Sequence, residues 1–364
     1  MKAEIFGRFM EAICSRSPAA EGRVLKWTII VNPAAGGFTI ARRWKKNLRT
    51  LETYVRKAER NPERKGGPSD ASRLFSGLSS GVVATSGPGE GEKIARALAE
   101  EAGRTRGKSP PFHLLITAGG DGTSREALAA VYGAAEEARS NMAVLRLPMG
   151  TGNDGADAAE LDGALEFLVN PVSVKKDRAL RLVTSTPGKG PFLAFNILSA
   201  GLDAFVTHMT NRMKGKFPGD SYKLWVDIAS LLYDRIYRVG PMSISVNGPD
   251  NAVTNMEETP LLLAVGASGE RTYGSGKRIL PDERNVCIVR QMPLLRKLAL
   301  KGLFTEGKHV SMPETILMNA SSVKFTGREK ILAQMDGETV LLFPEDFPLA
   351  VELTEPLIPV LARG

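Results

Sequence analysis

The clearest candidates for chemistry lie in one glycine-rich segment, Thr117-Ala118-Gly119-Gly120-Asp121-Gly122-Thr123, which follows an apolar run and precedes a helical pattern. Glycines allow backbone N–H groups to approach an anion closely, and a helix N-terminus adds a partial positive charge. The segment therefore predicts a site for the phosphates of a nucleotide. The alternative is an ordinary strand-to-helix turn in which Asp121 caps the helix.

Two further segments stand in the same position after apolar runs. They read Asn32-Pro33-Ala34-Ala35-Gly36-Gly37 and Pro148-Met149-Gly150-Thr151-Gly152-Asn153-Asp154. Parallel strands present their carboxyl ends at one edge of a sheet, which is where α/β proteins bind ligands. Three glycine-containing loops at one such edge favour a nucleotide site over three unrelated turns.

A fourth segment, Gln334-Met335-Asp336-Gly337-Glu338, lies far along the chain at the end of an apolar run. A carboxylate such as Asp336, held at a cleft between domains, could accept the proton of an alcohol as phosphate is transferred to it. The alternative is a tight Asp-Gly hairpin turn between strands at 330–335 and 339–343.

The elements that would position these loops alternate between strand and helix up to about residue 170. This alternation predicts a mostly parallel sheet with both faces covered. From about 171 to 350 most segments are strand-like, with one helix at about 218–236, which predicts a second, β-type domain. In the first part, strands are predicted at Val24–Val31, Gly81–Thr85, His113–Ala118 and Ala143–Leu147, and helices at Glu90–Ala102, Ser124–Ala138 and Ala156–Leu168.

Two stretches lie outside this pattern. Residues 1–24 form an N-terminal extension whose apolar side chains recur on one helix face. Such a helix either docks on the domain or lies on a membrane surface. Residues 57–80 read as an insertion, and Pro, Gly, Ser and charged residues predict a loop over most of it. The apolar helix face comprises Ile5, Phe6, Phe9, Met10 and Ile13.

The net charge of the 364-residue chain is +8, and residues 41–65 contribute most of it through ten basic and three acidic side chains. One basic patch without a recognition motif disfavours a specific nucleic-acid binder. Two cysteines and three histidines are too few for a disulfide framework or a convincing zinc site. With no apolar run of bilayer-spanning length and no signal-peptide core, we expect a cytoplasmic protein.

Together the motifs resemble those of the diacylglycerol kinase catalytic-domain family, which includes bacterial soluble lipid kinases and the sphingosine and ceramide kinases. The resemblance covers about residues 25–362. G-G-D-G-T also occurs in NAD kinases and phosphofructokinases, whereas G-T-G-N-D with a late D-G-E is specific to lipid kinases. The matching residues are Asn32-Pro33-x-x-Gly36, Gly119-Gly120-Asp121-Gly122-Thr123 with Glu126, Pro148-x-Gly150-Thr151-Gly152-Asn153-Asp154, Asp177, Asn196 with Gly201-Leu202-Asp203-Ala204, and Asp336-Gly337-Glu338.

The resemblance implies an α/β plus β fold. Residues 25–170, joined by about 351–364, would form a nucleotide-binding α/β domain with a mostly parallel sheet. Residues 171–350 would form an antiparallel β-sandwich that receives the lipid, with the active site in the cleft.

The resemblance also implies an ATP-dependent lipid kinase that uses ATP and Mg²⁺ and phosphorylates diacylglycerol or a related glycerolipid. Asp336 would be the general base. Asp121 and Asp154 would be further catalytic carboxylates, joined by Asp177 in an acidic network near the magnesium. The residues implied to bind the nucleotide are Asn32, Gly36, Gly119, Gly120, Gly122, Thr123, Glu126, Gly150, Thr151, Gly152 and Asn153.

The chain departs from the family at a segment that in bacterial members reads P-x-A-x-x-x-D-G-x-L and helps to hold a structural magnesium. Here the segment is Pro281-Asp282-Glu283-Arg284-Asn285-Val286-Cys287, which is shorter and lacks Asp-Gly. Asp282 is the nearest candidate ligand that remains. Two alternatives stay open: a soluble-substrate kinase of the NAD-kinase type, and a non-catalytic relative that binds a nucleotide or a lipid.

A lipid kinase without a membrane anchor must meet its substrate at a membrane surface. The basic residues at 41–65 would then make peripheral contact with the anionic inner face of the membrane. The alternative is that they form an ordinary solvated helix face. Soluble bacterial members are often dimers, so a homodimer is also expected.

Overall fold

A computed structural model describes residues 2–19, 23–60, 81–104, 107, 109–150, 152–213, 233–237, 240–273, 277–293, 296–297, 302–304 and 306–363. The chain divides into two compact units, Met1–Asp177 with Pro356–Gly364, and Arg178–Glu355. The predicted insertion from residue 61 onward and the predicted helix up to residue 232 lie outside the described residues.

The first unit is built on a six-stranded sheet with the order β2-β1-β3-β4-β20-β5. Neighbours from β2 to β20 run parallel, and only β5 at the edge runs antiparallel to β20. Every residue of β3 and β4 is buried, as expected for central strands covered on both faces. The strands are β1 (Leu25–Val31), β2 (Val82–Ala84), β3 (Phe112–Gly119), β4 (Met142–Pro148), β5 (Val172–Asp177) and β20 (Ile358–Arg363).

The observed unit boundaries differ from those predicted at 170/171 and 350/351. Strand β5 pairs with β20 along its whole length, from Val172 opposite Arg363 to Asp177 opposite Ile358. This pairing keeps residues up to 177 in the first unit, while residues 351–355 remain in the second. Only the long-range pairing of the two strands defines where the first unit ends.

The described part of the first unit contains seven helices. The first of them settles the alternative left open for residues 1–24. Phe6, Met10 and Ile13 have no exposed surface and share one core cluster with the sheet. The N-terminal helix is therefore docked in the first unit rather than separate from it. The helices are α1 (Lys2–Cys14), α2 (Gly36–Thr39), α3 (Ala41–Glu59), α4 (Glu90–Arg104), α5 (Asp121–Tyr132), α6 (Glu136–Ser140) and α7 (Leu161–Val169).

Helix α7 begins later than the predicted start at Ala156 because Asp157 binds β4. The Asp157 carboxylate accepts hydrogen bonds from the Arg146 backbone N–H (2.6 Å) and from Arg146 Nε (3.0 Å). The Asp157 backbone N–H in turn donates to Arg146 O (3.1 Å). These bonds hold the segment before α7 against the strand, so that it cannot coil into a helix.

The second unit is an antiparallel β-sandwich, as the family resemblance implied. Its six-stranded sheets have the orders β10-β9-β16-β19-β6-β7 and β15-β14-β11-β8-β17-β18, and β12 pairs with β13. Apolar residues from both sheets form one core. The strands β6 to β19 are, in chain order, Leu180–Val183, Phe192–Ala194, Ile197–Gly201, Met242–Asn247, Val253–Glu258, Pro260–Gly266, Arg271–Tyr273, Lys277–Leu280, Val286–Arg290, Thr315–Met318, Ser322–Thr326, Ile331–Met335, Glu338–Leu342 and Leu349–Leu353.

Two helices of this unit are α8 (Leu202–Met213) and α9 (Tyr233–Ile236), with 3-10 turns at Lys308–Ser311 and Pro344–Asp346. Sequence periodicity did not predict α8, which buries only a short stretch around Ala204 and Phe205 against the outer face of one sheet. No helix within the described ranges is long and apolar enough to cross a membrane.

Candidate active site

The three predicted loops meet at the carboxyl ends of β1, β3 and β4, which are neighbours in the sheet. The Asn32 N–H donates to Ala118 O (3.0 Å) at the end of β3. The Gly37 N–H donates to Met149 O (2.7 Å) beyond the end of β4. The sheet order therefore brings together segments that are separated by more than eighty residues in the sequence.

The loops after β3 and β4 touch through their glycine backbones. A Cβ atom on Gly150 would lie 2.4 Å from the Gly120 Cα atom, far closer than atoms can approach. By contrast, a Cβ atom on Gly122 would meet nothing within 4 Å. The two glycines thus differ, since Gly150 permits close packing of the loops and the space beside Gly122 is open.

Asp121 ties the β3 loop to the β4 loop. Its carboxylate accepts hydrogen bonds from the backbone N–H groups of Asn153 (3.2 Å) and Gly155 (3.0 Å). Burial raises the pKa of Asp121, and the backbone N–H groups and the Arg146 charge only partly offset this effect. Asp154, the other predicted carboxylate of these loops, is half-buried beside Asn153.

The β4 loop is held at Gly150 from two sides. The Gly150 N–H donates to Asn153 Oδ1 (2.6 Å), and Asn153 has a positive φ of 103°. Arg43 of α3 donates from Nη1 to Gly150 O (2.9 Å) and lines, with Gly150 and Asn153, a pocket of about 240 Å³. Sequence reasoning missed Arg43 as a site residue, because only its charge within the basic patch was visible.

Asn32 links the first loop to the second. Its Oδ1 accepts from the Ala34 N–H (3.0 Å), and its Nδ2 donates to Thr123 Oγ1 (3.4 Å). Gly36 is buried at the start of α2. Among the other predicted nucleotide residues, Thr151 lies outside the described residues.

Glu126 of α5 positions the turn before α4. Its two carboxylate oxygens accept hydrogen bonds from the Gly89 N–H (2.7 Å) and the Gly91 N–H (3.0 Å). The side chain predicted to bind the nucleotide is thus bonded to the backbone of a neighbouring turn. The sequence signal for this contact was Gly87-Pro88-Gly89-Glu90-Gly91, because N–H groups of such a turn need an acceptor once they are removed from water.

The predicted magnesium ligands do not form a site built by the protein alone. Asp177 lies near Arg146 (3.7 Å) and Lys175 (3.2 Å). Asp282 binds Arg284, and this hydrogen bond lowers the pKa of Asp282. In the described part of the chain, no group of three His, Cys, Asp or Glu side chains could hold a metal. In phosphoryl-transfer enzymes, magnesium commonly binds together with the phosphates of a nucleotide.

Asp336 occupies the tip of the β17–β18 hairpin, so the predicted Asp-Gly turn is present. Asp336 and Gly337 have positive φ angles of 49° and 97°, as a two-residue type I′ turn requires. The Asp336 carboxylate accepts from the backbone N–H groups of Asn196 (3.0 Å) and Ile197 (2.9 Å), and from that of Phe195. These three backbone donors hold the carboxylate in place at the turn.

Two family models match the chain and together cover most of it. The diacylglycerol kinase catalytic domain matches residues 26–184. The YegS C-terminal NAD kinase beta sandwich-like domain matches residues 196–357. Their junction falls close to the boundary between the two units.

Curated relatives carry lipid-kinase names. A "Probable lipid kinase YegS-like" of Xanthomonas euvesicatoria is 27% identical over 170 residues, which are 47% of this chain and 52% of that protein. The chain thus aligns with about half of this relative. "Putative lipid kinase YtlR" of Bacillus subtilis is 26% identical over 326 residues, 86% of this chain and 93% of that protein.

Solved structures show the same fold. The crystal structure of a "putative diacylglycerol kinase from Bacillus anthracis str. Sterne" matches with a TM-score of 0.55 and 18% identity. The match covers 92% of this chain and 96% of the other. At this identity the likeness establishes the architecture of both units.

Proposed function

Because the chain belongs to the diacylglycerol kinase catalytic-domain family, we propose that it transfers the γ-phosphoryl group of ATP to the hydroxyl of diacylglycerol or a related glycerolipid. One observation carries the proposal. Three loops with the family's motifs meet at one sheet edge, and open space over Gly122 leaves backbone free for phosphates.

In this proposal the first unit binds ATP and the second supplies the base. Phosphates lie against the backbone at Gly119–Thr123, at the N-terminus of α5, where N–H groups and the helix dipole stabilise the transferring phosphoryl group. Asp336 accepts the lipid hydroxyl proton on its carboxylate. The hydroxyl oxygen bonds to the γ-phosphorus, the bond from that phosphorus to the β,γ-bridging oxygen breaks, and ADP leaves. Magnesium, delivered with ATP, would supply charge neutralisation.

The test is a radiolabelled-ATP assay over diacylglycerol, monoacylglycerol, phosphatidylglycerol, sphingosine and ceramide. We expect phosphorylation of a glycerolipid. Asp336→Asn should abolish turnover, because the amide cannot accept the proton, while ATP binding stays nearly intact. Full activity of Asp336→Asn would refute the role given to this side chain.

A second candidate, a kinase for a soluble substrate such as NAD, is favoured by the NAD kinase-like description of the C-terminal domain model. Adding NAD to the panel separates the two, since phosphate transfer to NAD and to no lipid would select this candidate. ATP binding without transfer to any substrate would instead select a non-catalytic relative.

We further propose that the chain meets its lipid by peripheral contact with an anionic membrane surface through the exposed basic face of α3. This face includes Arg42, Lys45 and Arg49. Basic side chains near an anionic leaflet favour such contact.

A further inference from the structure

We propose that Asp203, Ser199 and Gln334 form a buried hydrogen-bond relay that positions the turn carrying Asp336. The inference rests on the proposed function, because the turn matters for catalysis only if Asp336 is the base. The three residues come from three elements of the second unit, α8, β8 and β17. None of them touches a substrate in the proposal, so each is a positioning residue.

The hydrogen bonds run in one consistent direction. Gly337 N–H donates to Gln334 Oε1 (2.9 Å), and Gln334 Nε2 donates to Ser199 Oγ (2.9 Å). Ser199 Oγ then donates to Asp203 Oδ2 (2.6 Å). The amide thus accepts at one end and donates at the other, and the Asp203 carboxyl oxygen accepts the last hydrogen bond. Replacing the amide by any group with only one of these abilities breaks the sequence of bonds.

The relay is buried, and two of its residues face each other on paired strands. Ser199 and Gln334 have no exposed surface, and they are opposite partners in the β8–β17 pairing. Asp203 is 5% exposed. Because burying polar groups costs free energy unless each is hydrogen-bonded, a matched set at this position favours one geometry over alternatives.

Helix α8 holds the same turn at a second point. Asn211, near its C-terminal end, donates from Nδ2 to Gly337 O (2.9 Å). The Gly337 residue is therefore fixed at its N–H by the relay and at its carbonyl by Asn211. The neighbouring Asp336 side chain then aligns with the N–H groups of residues 195–197.

Apolar packing alone would stabilise this region at least as well. Leu332 and Leu341 lie in the same layer between the sheet and α8, together with Phe205. Replacing buried polar groups by apolar ones of similar shape is often neutral or stabilising. The relay is thus better explained by the placement of the turn than by stability.

The decisive variant is Gln334→Glu. An ionised carboxyl still accepts from Gly337 N–H but cannot donate to Ser199, whereas a protonated carboxyl does both. We expect kcat, relative to wild type at the same pH, to fall roughly 10- to 100-fold at neutral pH. It should recover as pH falls, because burial and the nearby Asp203 raise the pKa of the introduced carboxyl. The KM for ATP should not change.

Among the described residues, the elements that carry the relay hold several titratable groups. Asp203 and His208 lie on α8, and Asp336 and Glu338 lie at the hairpin. His208 Nδ1 contacts Thr339 Oγ1 (3.2 Å), and Thr339 is the strand partner of Gln334. Normalising each rate to wild type removes their shared titration from the comparison.

Asn285→Asp is the matched control. Asn285 is another buried amide of this unit, hydrogen-bonded to the backbone of Gly266 and Ala320, outside the relay. It should lower thermal stability without producing the pH-dependent recovery of kcat.

A second variant keeps the test decisive if Gln334→Glu does not fold. In Gln334→Met the new side chain has a volume similar to that of glutamine but cannot make the relay's hydrogen bonds. The kcat of this variant, relative to wild type, should therefore fall by the same factor at every pH. Folded Gln334→Met with kcat within twofold of wild type would overturn the relay, as would an Asn285→Asp profile identical to that of Gln334→Glu.

Failure of the proposed function is recognised separately. If wild type phosphorylates no lipid, amide hydrogen exchange at Gly337 still tests the relay without substrate. Exchange there should accelerate roughly two- to tenfold in Gln334→Met, as expected for one lost hydrogen bond. It should stay unchanged in Asn285→Asp. An unchanged rate in Gln334→Met would refute the relay.

Discussion

At the scale of residues, several side chains that family motifs single out bind backbone rather than project into open space. Asp121 accepts two N–H groups of the β4 loop, and Asn153 accepts the N–H of Gly150. Glu126 does the same for the turn before α4. Glycine-rich loops have few side chains to hold them, and their N–H groups need acceptors. We infer that these three residues shape the loops of the proposed nucleotide site.

Arg43 allows this inference to be tested on ATP binding. Arg43→Ala removes the hydrogen bond to Gly150 O and should raise the KM for ATP roughly two- to tenfold, as expected for one lost hydrogen bond. Arg42→Ala removes the same charge from the adjacent helix position and serves as the control. Equal KM values for the two variants in a steady-state ATP titration would show that only charge matters there.

At the scale of elements, α3 serves both the core and the surface. Its residues Leu51 and Tyr54 point inward and are fully buried. On its outer side Lys46 pairs with Glu160 (2.6 Å) and Lys57 with Glu166 (2.7 Å). The pairs reduce the net charge of the patch, so the residues best placed to attract an anionic surface are Arg42, Lys45 and Arg49.

Reversing these three charges separates a membrane-binding face from a merely solvated one. The triple variant Arg42→Glu, Lys45→Glu and Arg49→Glu should weaken sedimentation with vesicles of anionic phospholipid roughly tenfold or more. Lys93→Glu, Arg96→Glu and Arg104→Glu on exposed α4 positions change the total charge equally. If the α3 variant binds the vesicles with unchanged affinity, the basic patch does not bind membranes and is an ordinary solvated helix face.

At the scale of the whole molecule, each unit has its own core. The second unit also contains a buried titratable group that the proposed mechanism does not use. His309 has no exposed surface, and its Nε2 contacts Ile279 O (3.0 Å). Burial lowers the pKa of His309 below its usual value of 6.5, against the opposing effects of its backbone hydrogen bonds and the Asp282 charge. Folding therefore favours the neutral ring.

The pH dependence of unfolding should follow from this shift. Below pH 6.5 the unfolded chain binds a proton that the folded chain resists, so the stabilisation from the neutral ring is present above that pH. It is lost as pH falls through the folded-state pKa. In His309→Gln the thermal midpoint should fall less steeply between pH 7 and 5 than in wild type. Parallel slopes in differential scanning calorimetry would contradict this.

Much of the candidate site follows from short segments of sequence. A glycine-rich loop after an apolar run indicates the end of a strand. Because parallel strands place their carboxyl ends at one edge of a sheet, the meeting of the three loops could be predicted. The Asp336-Gly337 turn was equally readable, because a type I′ hairpin needs two residues that tolerate positive φ. Each of these features depends on a few neighbouring residues.

The other features of the fold and of the candidate site depend on contacts between residues that are far apart in the sequence. Strand β5 belongs to the first unit only because β20 returns beside it, and α1 docks only because the sheet offers it a core. The partners of Asp121, Arg43 and Glu126 lie 32 to 107 residues away, and the relay from Asp203 to Gly337 crosses three elements. Sequence alone determined which chemical groups this chain has. The tertiary structure decided which of them hold the loops, because a buried polar group must bind whatever donor or acceptor the fold places beside it.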